Sequence, residues 1–144
     1  MTSSPVQLSA ARILIVDDNV DAASSLGVLL RLRDAEVEVV HDGPSALARM
    51  ETFHPFVVLL DLGMPGMDGF EVAQRIRHQA RFQDVVLVAQ TGWGTEEIRR
   101  RSHGVGFAHH LVKPVEFESL IALLSQLLSA AVRGNGANAG PTSA

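Results

Sequence analysis

Val57-Val58-Leu59-Leu60-Asp61-Leu62-Gly63-Met64-Pro65-Gly66-Met67-Asp68-Gly69 decides the fold. Four consecutive apolar residues, two of them β-branched, are too few for a helix and read as a strand buried on both faces. Asp61 closes that strand. A turn-rich loop with Gly63, Pro65, Gly66 and Gly69 follows, and then a helix-periodic stretch begins. The unit is a strand leading into a helix, with a carboxylate at the junction.

The same grammar repeats on either side. Strands are expected near 12–17, 36–40, 56–61, 84–90 and 107–112, and helices near 20–33, 44–52, 68–79, 95–102 and 116–130. Asn19 or Asp21 is suited to cap the first helix, which carries Leu26, Leu29 and Leu30 as a stripe. Gly43-Pro44 puts proline at a helix start, where its missing N–H costs nothing. Leu120, Leu123, Leu124, Leu127 and Leu128 give the last helix its apolar face. Five strand-then-helix units with continuous apolar strands imply an α/β fold, a parallel sheet covered on both faces. Residues 1–10 read as a flexible arm, 11–131 as the folded domain, and 132–144, with Gly134, Asn135, Gly136, Gly140 and Pro141, as a flexible tail.

Composition narrows the function. At 144 residues and 47% apolar the chain is one domain with a real core. The net charge of −4 gives no reason to expect nucleic acid as a partner. Zero cysteines removes disulfides, thiolate catalysis and cysteine zinc sites. Met1 to Pro5 lacks the basic and apolar regions of a signal peptide, and no run approaches the ~18–20 apolar residues of a membrane span. A cytoplasmic protein without a membrane partner is the expectation.

The polar residues at the strand ends carry the chemistry. Asp17-Asp18 close Ile13-Leu14-Ile15-Val16, Thr91 follows the run Val85–Ala89, and Lys113, the one lysine among twelve Lys and Arg, follows Leu111-Val112. Each alone is an ordinary turn, cap or surface residue. Together they converge, because ligands in open α/β sheets bind at the carboxyl ends of the strands. Three carboxylates within ~5 Å repel by roughly 3 kcal/mol per pair at an effective dielectric near ~20. Such a cluster calls for a cation, and oxygen ligands with room for water and phosphate suit Mg²⁺. The set fits magnesium-assisted phosphoryl transfer onto an aspartate, where positioning and charge neutralisation matter more than covalent help. Pro114 permits a cis peptide at modest cost, a way of aiming the Lys113 amine inward.

In that order and spacing, Ile-Leu-Ile-Val-Asp17-Asp18-Asn19, Asp61-Leu-Gly-Met-Pro-Gly-Met-Asp-Gly, Thr91-Gly92 and Lys113-Pro114 resemble a bacterial two-component response-regulator receiver domain over about residues 12–130. The resemblance implies a flavodoxin-like, doubly wound (βα)5 sheet of strand order 2-1-3-4-5. It implies that Asp61 accepts a phosphoryl group from a sensor histidine kinase or histidine phosphotransfer domain. Asp18 would bind Mg²⁺ directly, Asp17 largely through water, and the Gly63 carbonyl would complete the protein ligands with Asp61. Lys113 and Thr91 would hold phosphoryl oxygens. Thr91 and the residue three before the lysine would form the switch. That position usually holds Tyr or Phe and here is His110, smaller and titratable near neutrality. Trp93 follows Gly92, either to shield the phosphoryl group or to pack on the fourth helix.

Three functions compete on these residues. The first is a stand-alone receiver, a phosphoacceptor rather than an enzyme, signalling to a downstream protein through its fourth helix, fifth strand and last helix. The second is a phosphatase resembling the haloacid dehalogenase class; that family's nucleophile sits in an Asp-x-Asp motif on the first strand, whereas Asp17 and Asp18 are adjacent. The third is a phosphorylation-independent pseudo-receiver that only binds. Arg99-Arg100-Arg101 beside Glu96-Glu97 reads as a solvated helix face, and His103, His109 and His110 lack a zinc-site spacing.

Overall fold

The computed structural model describes residues 6–139, with side chains described to residue 132. Five strands alternate with five helices: β1 (Arg12–Val16), α1 (Val20–Arg31), β2 (Glu36–Val40), α2 (Gly43–Phe53), β3 (Val57–Asp61), α3 (Gly69–Arg77), β4 (Val86–Thr91), α4 (Glu96–Gly104), β5 (His109–Val112) and α5 (Phe117–Ala139), with a 3₁₀ turn over Ala80–Phe82. All strand pairs are parallel, in the order β2-β1-β3-β4-β5. This is the expected doubly wound sheet.

Strand alternation sorts the core into two layers, since successive side chains point to opposite faces. Ile13, Ile15, Val57, Leu59 and Val88 pack beneath α1 and α5, against Ala23, Leu30, Leu120, Ile121 and Leu124. Leu14, Val16, Val58, Leu60 and Leu87 face the other way, onto Met50, Phe53, Phe70, Val72 and Ile76. Every β3 residue is buried, which is why that strand carries no polar alternation.

The helix starts follow local chemistry. Side chains of Asn19, Asp42, Asp68 and Thr95 accept backbone N–H bonds from Ala22, Ser45, Glu71 and Ile98, satisfying donors the first turn leaves free. Asn19 rather than Asp21 is therefore the first cap.

Three expectations change. The arm placed over 1–10 is held from residue 6 onward: Leu8 is fully buried in the α1/α5 layer, and the Leu8 and Ala10 amides donate to the carbonyls of Arg33 and Asp34. A single buried side chain in so short a segment gives no periodicity to read, yet it suffices to pin the chain. The tail placed over 132–144 begins as helix, because α5 continues to Ala139 through Gly134 and Gly136. Glycine costs about 1 kcal/mol in a helix interior but does not forbid it. Residues 1–5 and 140–144 of the expected arm and tail lie outside the described residues. Finally, β5 begins at His109 rather than near 107, because Phe107 is buried beneath α3 and α4 instead of extending the strand.

Candidate functional site

The parallel register brings the carboxyl ends of β1, β3 and β4 level. Val16 pairs with Leu60, and Asp61 pairs with Gln90, so Asp17, Asp61 and Thr91 each stand at or one residue past the edge. Asp17, Asp18 and Asp61 offer carboxylate oxygens that all lie within 4.8 Å of one another. Asp17 and Asp61 are buried, whereas Asp18 is exposed.

Each buried carboxylate is oriented by one backbone amide and one ammonium. Asp17 Oδ1 accepts the Asn19 N–H at 2.9 Å, and Asp61 Oδ1 accepts the Gly63 N–H at 3.0 Å. The remaining oxygens face Lys113, whose Nζ lies 2.9 Å from Asp17 Oδ2 and 3.3 Å from Asp61 Oδ2. Burial works against the Lys113 charge, but hydrogen bonds and attraction from Asp17 and Asp61 outweigh it, so its pKa is raised above the ordinary 10.5. The Lys113–Pro114 peptide is cis.

The loops are built to hold this geometry. The Asp17 carbonyl accepts from His41 Nδ1 at 2.9 Å, and the Leu62 amide donates to the Gln90 carbonyl at 2.9 Å. Gly69 packs directly beneath the acceptor strand: a Cβ there would lie 2.4 Å from the Asp61 carbonyl oxygen. Only glycine lets α3 start so close to β3.

Thr91 is buried, and its Oγ1 accepts the Trp93 N–H at 3.2 Å. Acceptance leaves the hydroxyl proton free to be donated. Trp93 itself is 69% exposed on the β4–α4 loop; of the two placements the sequence allowed, it packs into no core there.

His110 stands apart from the carboxylates. Its Nδ1 lies 3.3 Å from Ser102 Oγ on α4, while that hydroxyl donates its proton to the Ile98 carbonyl at 2.8 Å. With its proton so engaged, Ser102 Oγ is left to accept from a protonated Nδ1. Nε2 is buried without a hydrogen-bond partner among the described residues. Burial and the nearby Arg99 charge hold the His110 pKa below its ordinary 6.5, against a smaller opposing influence of the Trp93 backbone.

The sequence marked Asp17, Asp18, Asp61 and Lys113, and these four meet. It missed Asn19 as an orienting amide, His41 as a loop clamp, and Ser102 as the partner of His110. The first was legible as the residue after an Asp pair; the other two depend on tertiary contacts without a local signal.

A net charge of −2 from three carboxylates and one ammonium, all presenting oxygen, is a donor set that fits a hard divalent cation such as Mg²⁺ and not a soft one. Among the described residues no other group of three acidic or histidine side chains converges in this way.

Comparison with known proteins agrees. The model of the response regulator receiver domain matches residues 13–125. A 14.6 kDa protein of Leptolyngbya boryana is 34% identical over 119 residues, covering 83% of this chain and 91% of that one. The DNA-binding dual master transcriptional regulator RpaA of Synechocystis sp. is 30% identical, over 81% of this chain but 48% of its own. The chain thus spans about half the length of that DNA-binding relative. Among solved structures, the chemotaxis protein CheY4 of Vibrio cholerae superimposes with a TM-score of 0.78 at 30% identity, covering 81% of this chain and 98% of that one.

Proposed function

Because this chain belongs to the response regulator receiver domain family, phosphorylation-dependent signalling domains, we propose that Asp61 is the phosphoacceptor of a two-component switch. Its donor is a phosphohistidine on a sensor histidine kinase or histidine phosphotransfer protein. An Asp61 carboxylate oxygen forms the new O–P bond as the donor's N–P bond breaks, and the imidazole nitrogen leaves with the electron pair. The observation that carries this reading is the buried Asp61 carboxylate, oriented by Gly63 N–H and faced by the Lys113 ammonium at 3.3 Å.

Each neighbour has a role. Asp17, Asp18 and Asp61, with the Gly63 carbonyl, would hold Mg²⁺, which when bound neutralises charge on the transferred group. Lys113 pairs with one phosphoryl oxygen, and Thr91 donates its free hydroxyl proton to another. Thr91 and His110 form the switch: engagement of Thr91 alters the β4–α4 loop, and the half-buried His110 responds beside α4. The output surface is α4-β5-α5, read by a separate downstream protein. In this reading 11–131 is the phosphorylated unit, acting as a stand-alone receiver, and the protein is a phosphoacceptor rather than an enzyme. No described helix is long and apolar enough to cross a membrane, and we place the protein in the cytoplasm with its kinase's catalytic region.

The test is direct. With Mg²⁺ and phosphoramidate, intact-mass measurement should find one added phosphoryl group, lost in Asp61→Asn and lost on chelation. A wild-type chain that stays unmodified overturns the proposal; continued turnover of a phosphomonoester would place it with the phosphatases instead.

A further inference from the structure

A cavity of about 510 Å³ opens between α1 and α5, against the carboxyl ends of the central strands. That volume lies within the roughly 300–1,000 Å³ typical of small-molecule sites. Its walls are apolar, formed by Ile15, Leu26, Leu29, Val115, Phe117 and Leu120. Among its polar lining residues, one is buried and is not used by the phosphoryl chemistry. Gln90 is 5% exposed, lines the cavity, and its Nε2 has no hydrogen-bond partner among the described residues.

A buried amide without a partner is costly, and an aliphatic side chain would fill this strand position at no such cost. The orphan donor within an apolar recess is the arrangement of a ligand site: apolar walls for affinity and one polar group for orientation. We propose that this α1–α5 cavity binds a small uncharged carbonyl compound, an amide, ester or ketone, whose oxygen accepts from the Gln90 amide while its hydrocarbon part lies along Leu26, Leu29 and Phe117.

The head group is uncharged for an electrostatic reason. Asp17 and Lys113 also line the cavity, and the Lys113 ammonium is already shared between Asp17 and Asp61. Two carboxylates outweigh that one ammonium, so an incoming carboxylate meets a net negative edge, and an incoming ammonium would compete for the carboxylates rather than use Gln90. A neutral acceptor avoids both. The site makes no use of Asp61 as a nucleophile, so it stands or falls independently of phosphorylation.

The probe is N-hexylacetamide, titrated into the ¹⁵N-labelled full chain and followed by NMR. Binding should shift the Gln90 side-chain amide pair, identified by its loss in Gln90→Leu, together with the backbone amides of Leu26 and Val115. Gln90→Leu should weaken binding by about tenfold. Ser25→Leu, at an exposed rim position of the cavity, should abolish it while leaving the fold intact. Hexanoate, with the same chain and a charged head, should bind at least ~10-fold more weakly. Absence of saturable shifts, unchanged affinity in Gln90→Leu, or tighter binding of hexanoate each overturns the proposal.

Discussion

The carboxyl edge of β1 and β3 and the α4–β5 corner are built to opposite standards. In the first, all five β3 residues are buried, each buried aspartate has two hydrogen-bond donors, and the loops are tied by His41 and Leu62. In the second, α4 buries only Ser102, no β5 residue is fully buried, and His110 keeps an unpartnered nitrogen. Local stability follows burial and satisfied polar groups. The groups proposed to meet a phosphoryl donor sit where burial and satisfied hydrogen bonds leave least room to move. The surface proposed to report the event sits where a small free energy is enough to shift a population.

The largest expected effect breaks this contrast most directly. Leu60→Ala, on the fully buried β3, should cost about 3 kcal/mol in denaturant unfolding, while Ile98→Ala, half-buried on α4, should cost about 1 kcal/mol. Hydrogen exchange should likewise show α4 amides opening well before those of β1 and β3. Equal costs, or equal protection, would mean that the two regions form one cooperative unit.

A smaller effect concerns the charges of the rigid edge. Lys113→Met leaves Asp17 and Asp61 facing one another, and should lose about 1–2 kcal/mol without divalent cation. Adding Mg²⁺ should recover part of that loss, since a second cation answers the same carboxylates. The pH dependence has a defined sign. With a folded pKa above the ordinary 10.5, the lysine stabilises fully below that value, and its contribution fades as pH rises through the folded value. The alkaline limb of wild-type unfolding should therefore be steeper than that of the variant. Parallel limbs would show Lys113 to be solvated, and the edge looser than its distances suggest.

What could be read in advance divides along the same line. The rigid half was legible: apolar runs ending in Asp17, Asp61 and Lys113 mark strands, edge and charges together, and the strand order that brings them side by side came with the family resemblance. The corner was not. Ser102 looks like any helix serine bonded back to the Ile98 carbonyl one turn earlier, and only the tertiary placement of His110 against it reveals its acceptor role. Leu8 was missed because a single buried side chain has no period. The length of α5 was missed because Gly134 and Gly136 lower helix propensity without setting a boundary.

The smallest expected effect tests the corner itself. The His110 pKa lies below the ordinary 6.5 because burial and Arg99 oppose the charged form. A group depressed in this way leaves stability undiminished above 6.5; as pH falls below that value the unfolded chain takes up a proton first, and stability declines until the folded ring protonates too. Arg99, His103 and His109 border the same cleft, so the difference between wild type and His110→Phe, rather than the wild-type curve alone, isolates the one ring. The acid limb of unfolding should be shallower in His110→Phe, and an NMR titration should place the His110 midpoint below 6.5. A midpoint at or above 6.5 would mean that water reaches Nε2 in solution, and that the corner differs from the acidic edge in flexibility alone and not in polar groups left unmatched.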